Sequence, residues 1–249
     1  MALTPTVLMD ARIYLETADL TGWSNKVETN ASAAEEDITN FGSGGWKQRT
    51  GGELDTDVSL EGFFEQLDLS RPDDTFWANL GSNQAALTVM PTSGAAGVLT
   101  YLSRVQVMDY KPGGAVGKVL PWSASLKGNW PFVRGLVLHP QGTARTSTGN
   151  GTGFQLGAVG SAQRMYACLH VLSISGTGTP TITVSLQSSV DNTFASPTTR
   201  ITFAADTALD GQALSLLGPV TDQWWRASWT ISGTTPSFLF AVSAGIGPK

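Results

Sequence analysis

The residues of this chain whose types could do chemistry are few: two histidines, one cysteine, two close pairs of acids and a cluster of tryptophans. His139 and His170 lie in different halves, each at or within an apolar strand pattern. A Ser-His-Asp arrangement needs a histidine held by a carboxylate, and beyond residue 154 only Asp191, Asp206, Asp210 and Asp222 are on offer, so no hydrolytic site is expected. Asp55 with Asp57, or Asp73 with Asp74, has the form of a glycosidase carboxylate pair, yet a strand face and a helix N-terminus account for the two pairs without it. Cys168 is the single cysteine, which excludes an intramolecular disulfide and a multi-cysteine zinc site. Its flanks alternate as a strand, so the thiol is expected in the core. The glycines of 42–52 lack the strand, lysine and helix order of a phosphate-cradling loop. The chain is therefore read as no enzyme, with no cofactor and no metal. Trp224, Trp225 and Trp229, with Gln223 and Arg226, are candidate glycan contacts, because exposed aromatic faces stack on pyranose rings. On a strand Trp225 and Trp229 share one side and Trp224 the other, so at least one set is expected inside.

Hydrophobic residues make up 41% of the chain, enough for real cores, but charged residues only 14%, against about 25% in an ordinary soluble domain. Such a chain hides much of its surface or is mostly β. Charge is uneven: residues 1–141 hold 16 acids and 10 bases, residues 142–249 hold 4 and 5. An acidic first half has no basic stripe to neutralise phosphates, so specific nucleic-acid binding is not expected. A wall of carboxylates would instead repel a passing polyanion. Residues 1–15 show no basic segment followed by an apolar run, and no stretch approaches the ~20 apolar residues of a membrane span. The expectation is a soluble protein made in the cytoplasm, with no membrane partner.

The elements that would carry these residues are mostly strands. Residues 3–15 read as one or two strands, 16–40 as a polar stretch with a turn at Asp19–Trp23. Gly42–Gly52 carries five glycines around Trp46, Lys47 and Arg49 and reads as a mobile loop. From Leu54, the residues Leu54, Val58, Leu60 and Gly62 alternate with Asp55, Asp57, Ser59 and Glu61, the period of a half-buried strand. Pro72, Asp73 and Asp74 open a short helix whose Phe76 and Leu80, with Trp77, would cover one face of a sheet. Strands follow at 86–90, 97–109, 119–126 and 132–139, with a turn at Lys111–Gly114. The Gly/Ser/Thr-rich 140–153 reads as a flexible linker. Beyond it, Ile174-Ser-Gly-Thr-Gly-Thr-Pro and Ile231-Ser-Gly-Thr-Thr-Pro echo one another, each read as a hairpin, and six to eight strands without a helix point to a β-sandwich. The expected division is 1–139, a linker at 140–153, and 154–249.

The glycine-rich loop, the strand Gly51-Gly-Glu-Leu-Asp-Thr-Asp-Val-Ser-Leu-Glu-Gly-Phe-Phe64 and the Asp73-Asp-Thr-Phe-Trp-Ala78 helix resemble the major tail tube proteins of long-tailed bacteriophages over residues 1–139. The resemblance implies a mainly β, barrel-like double sheet with one flanking helix, to which a β-sandwich is appended here. It implies self-assembly into stacked, usually six-fold rings in a virion tail, with double-stranded DNA passing through the lumen unbound and tape-measure, terminator and distal tail proteins as neighbours. Gly42, Gly44, Gly45, Trp46, Lys47, Arg49, Gly51 and Gly52 would then reach the adjacent ring, and Asp55, Asp57 and Glu61 are candidates for the lumen. The segment Pro219–Trp229 resembles, more loosely, the closing segment of carboxy-terminal domains of phage structural proteins. Two competing readings stand beside this one: another tail, baseplate or head-decoration protein with a carbohydrate-binding C-terminal sandwich, and a duplicated tube fold in which the second half also joins the ring.

Overall fold

The computed structural model describes residues 8–65, 71–82 and 84–249, so residues 3–7 of the first expected strand and 66–70 before the helix lie outside the described residues. The chain is mainly β: fourteen strands hydrogen-bond into one network, with one α-helix and one 3-10 turn among the described residues. In chain order the strands are β1 (Arg12–Leu15), β2 (Ala18–Asp19), β3 (Ser24–Asp37), β4 (Arg49–Phe63), β5 (Ala85–Met90), β6 (Leu99–Pro112), β7 (Pro121–Gly128), β8 (Val133–His139), β9 (Gly149–Asn150), β10 (Phe154–Gln155), β11 (Gln163–Ser189), β12 (Thr198–Thr202), β13 (Asp210–Leu217) and β14 (Trp224–Pro248), with α1 (Pro72–Asn79) between β4 and β5.

The network is a curled antiparallel sheet in which single strands serve two layers. The first part of β6 lies between β5 and β8, while its second part pairs with β7, which pairs in turn with β4 and β4 with β3. Between these layers sits one core, from Ile13, Leu15 and Leu20 through Val58 and Leu60 to Val107, Trp122 and Leu126. The alternation read from the sequence is why: Val58 and Leu60 point into it, and Asp57, Ser59 and Glu61 point away. Helix α1 closes one end by burying Phe76 against Tyr110 and Trp122, with centroids 5.1 and 4.9 Å away. The expectation that Trp77 and Leu80 help cover the sheet fails, since they are 60% and 42% exposed. The helix ends there, and Leu80 already forms a bridge to Val107.

The second core is built from one folded ribbon. Strands β11 and β14 pair antiparallel from Gln163↔Pro248 to Ser189↔Trp224, with register shifts between Val171 and Thr181. Met165, Leu169 and Val171 from one half pack in a single cluster with Val184 and Leu186 from the other, and so do Trp225 and Trp229 with Phe240 and Val242. The ribbon thus bends double and its halves become the two faces of a sandwich, a corner of the kind that bulges create. Left-handed backbone at Gly176 (φ 127°) and Gly233 (φ 114°) makes the corner. The two Ser-Gly-Thr echoes are therefore not separate hairpins. They face each other, Thr177 opposite Thr234, and bend the same ribbon.

Residues 140–153, expected as a free linker, run along β14: Arg145 exchanges backbone hydrogen bonds with Phe238, and Gly151 donates to Ala227 at 2.8 Å. Strand β8 pairs with residues 242–245 of β14, so the sheet continues from the first half into the second. Two smaller buried clusters, one with Ala86, Leu102, Val133, Tyr166 and Cys168, the other with Tyr14, Met90, Val137 and Ala241, join the halves, and small or polar groups are buried as well. Ala86, Thr88, Thr100, Ser103, Cys168, His170, Ala241 and Ser243 are all fully buried.

Candidate assembly surface

Beyond the first core, β3 and β4 continue as a two-stranded arm. Pairing runs out through Ala33↔Leu54 and, past a bulge, Glu35↔Gly51, Glu36↔Thr50 and Asp37↔Arg49. Almost every residue of this part is exposed. Side chains hold its tip: the Thr39 amide donates to Asp37 Oδ1 at 2.9 Å, the Gln48 amide to Thr39 Oγ1 at 2.9 Å, and the Gly42 amide to Asn40 Oδ1 at 2.8 Å. Gly44 and Gly45, at φ 61° and 86°, take the turn that L-residues resist. Arg49 pairs with Glu35 at 2.7 Å, and Lys47 reaches Asp37 at 4.0 Å. The reading of Gly42–Gly52 as a loop is corrected in part. Gly42, Gly44, Gly45, Trp46 and Lys47 make the tip, whereas Arg49, Gly51 and Gly52 belong to β4.

The arm carries bare apolar groups. Phe41 is fully exposed, Trp46 81%, Leu54 74% and Ile38 51%. Two-stranded ribbons do not hold such groups at a tip for stability, since no apolar side chain is buried there. In the β3 half the sequence suggests only a short strand edge or turn at Glu35–Ile38, because a ribbon wet on both sides shows no alternation.

The outer face of β3, β4 and β7 is polar. Lys127 Nζ lies 3.1 Å from Asp55 Oδ2 and also pairs with Asp57, while Lys26 Nζ pairs with Glu61 at 2.9 Å and Glu28 at 3.3 Å. The Lys127 hydrogen bond holds Asp55 below the usual carboxylate range, and the neighbouring acids raise Lys127 and Lys26. The three acids singled out from the sequence thus share one exposed face, interleaved with lysines that the sequence reading had not placed.

The tryptophan hypothesis is corrected. Trp225 and Trp229 are buried in the second core, and their indole N–H groups donate to the carbonyls of Gly157 (2.9 Å) and Ser147 (3.0 Å). Neither ring face is open to a sugar. Trp224 lies on the other side of β14, half-buried.

The histidines are structural. His139 donates from Nδ1 to the Phe240 carbonyl and accepts from Arg145 Nε at Nε2, stacked on Phe240 at 4.2 Å. His170 donates from Nδ1 to the Glu16 carbonyl and accepts from Thr88 Oγ1 at Nε2. Burial pulls both down to about 4, so both are neutral near pH 7. Burial pushes the Cys168 thiol up to about 12. Glu16, whose carboxylate accepts from the Ala86 amide, is pushed up to about 7 by burial, with a smaller push from Asp210. Among the described residues no three or more His, Cys, Asp or Glu side chains form a group that could hold a metal ion, and no helix is long and apolar enough to cross a membrane.

Fold and surface together define a mainly β protein whose most exposed feature is a hairpin arm with an apolar tip. No family model matches the sequence, and no curated protein matches it either. Solved structures similar to it include a tail chain of an empty gene transfer agent particle refined with C6 symmetry, at 15% identity and TM-score 0.36, covering 46% of this chain and 89% of that one. The Dit protein of phage SPP1 is similar at 11% identity and TM-score 0.36, over 96% of this chain and 100% of that one. A baseplate chain of the anti-feeding prophage is similar at 13% identity and TM-score 0.39, over 51% and 94%. At these identities and TM-scores, none of them assigns a function to this chain.

Proposed function

We propose that this chain is a structural subunit of a phage-type virion tail that associates with copies of itself, as a major tail tube protein does, into stacked rings around a DNA conduit. The observation that carries the reading is the arm: Phe41 and Trp46 held clear of the body on an ordered ribbon, a costly arrangement in water unless another surface covers them. The sequence resemblance over residues 1–139 supplies the rest. Rings are usually six-fold in that family, with tape-measure, terminator and distal tail proteins as neighbours, and residues 154–249 would form the outer sandwich. On this reading the face bearing Asp55, Asp57 and Glu61 lines the lumen, where carboxylates keep a polyanion from sticking. The test is electron microscopy of the purified chain over a range of concentrations, with and without residues 42–47. Rings or tubes that vanish when the tip is deleted are expected. Monomers at every concentration, or tubes indifferent to the deletion, would refute it.

A further inference from the structure

The end of β4 remote from the arm is also apolar. The β6–β7 connection, residues 113–120, leaves Val116 fully exposed and Val119 69% exposed, and Phe63 beside it is 49% exposed. The Phe64 amide donates to the Leu120 carbonyl at 2.8 Å, which fixes this connection against the end of β4. One strand of 15 residues, about 50 Å long, therefore has an uncovered apolar group at each end. The charges left over differ in sign. On the arm Lys47 and Arg49 face Asp37 and Glu35, leaving Glu36 and Glu53 without an ion pair among the described residues. At the other end Lys111 pairs with Asp109, and Lys118 has no acid beside it.

We propose that the arm of one copy docks on the 113–120 connection of the next, laying Phe41 and Trp46 against Val116 and Val119 with Lys118 facing Glu36 or Glu53. The proposal rests on the reading of the chain as a self-stacking subunit and adds the surface that receives the arm. Two different patches meet, so the contact is head-to-tail, and copies related by translation along β4 can repeat it without end. The apolar groups supply the affinity, and the unpaired charges set direction by disfavouring arm-to-arm and loop-to-loop encounters.

The test is a cysteine pair placed beside the apolar residues: Gln48→Cys on the arm and Ala115→Cys in the connection, both exposed in the native chain. Mixing the two single variants under assembly conditions and oxidising is expected to give a heterodimer across 48 and 115, and the double variant a ladder. Lys118→Glu should raise the concentration needed for assembly roughly fivefold, the scale of an exposed charge pair, and Glu36→Lys with Glu53→Lys should restore it. Polymers without the 48–115 crosslink would overturn this docking surface while leaving the proposed function standing. Absence of polymers from the unmodified chain would overturn both.

Discussion

The rings of Trp229 and Phe240 lie 5.5 Å apart, edge to face, although Phe240 follows Trp229 by eleven positions on the same strand. A straight strand would separate them by about 36 Å. The strand has therefore turned back on itself between them, and its partner β11 turns with it. This corner makes a sandwich from two strands that the sequence presents as four.

The corner depends on its glycines. A Cβ on Gly233 would sit 2.8 Å from Pro180 Cα, on backbone at φ 114°. Gly233→Ala is expected to cost about 2 kcal/mol, roughly 4–8 °C in Tm for a chain of this size. Gly22→Ala, with open space around it, should change little. Thermal unfolding followed by circular dichroism decides.

Trp225→Ala and Trp229→Ala should each destabilise by about 3–5 kcal/mol, because each empties a core site and strands a backbone carbonyl. Trp224→Ala, on the half-buried side, should cost less. Denaturant midpoints compare the three. Equal losses would contradict the placement of these rings.

Stability should fall with rising pH between about 4.5 and 7 through Glu16. Its folded value near 7 exceeds the ordinary 4.5, so the folded state holds the proton more tightly, and that contribution is lost as pH rises through 7. The amount is on the order of 3 kcal/mol. Asp206, raised to about 7 by burial and by Asp210, acts in the same direction. His139 and His170 act in the opposite one, since they must stay neutral inside and add stability as pH rises from 4 to 6.5. Glu16→Gln keeps an acceptor for the Ala86 amide, removes one of the falling contributions, and should make stability rise with pH between about 4.5 and 7 relative to the unmodified chain. An unchanged pH profile in that variant would contradict the assignment.

Asp55→Asn combined with Asp57→Asn should leave the melting temperature unchanged, because both groups are exposed and Lys127 is then simply solvated. On the proposed reading of this face as a lumen wall, the same change in an assembled tail should slow genome delivery while tube length stays constant. Tail imaging and an ejection assay on the same particles separate the two effects.

Cys168 should resist thiol reagents in the native chain and react fully in denaturant, being completely buried with its thiol near 12. Rapid native labelling would show that the curl opens. The same inertness lets engineered cysteines at 48 and 115 report without interference.

The sequence was most legible where one side of a strand is dry. Val58, Leu60 and Gly62 alternate because Asp57, Ser59 and Glu61 face water, and β4 was placed correctly over that span. The first residues of the same strand, Arg49 to Gly52, read as loop, since a ribbon wet on both sides has no hydrophobic period to find. Gly-Thr-Gly-Thr-Pro at 176–180 carries turn chemistry, and local residue types do not distinguish a hairpin from a corner. Only the partner strand does, and it lies more than fifty residues away. Trp225 and Trp229 show the same limit, because a large aromatic on a strand looks alike whether its face meets a ligand or a core. In 113–120 the sequence shows a turn at Lys111–Gly114 and a strand from Val119, whereas the strand begins at Pro121 and leaves Val116 and Val119 exposed in the connection.

Strand β8 finds its outer neighbour only in residues 242–245, more than a hundred positions later. During synthesis on the ribosome, everything up to His139 emerges with that flank bare, and β11 likewise waits for its long companion. A nascent chain in this state exposes unsatisfied backbone to its neighbours on a polysome, which favours chaperone capture and late closure of the whole sheet. Stop codons placed even ten residues early should therefore yield aggregates instead of a smaller folded body.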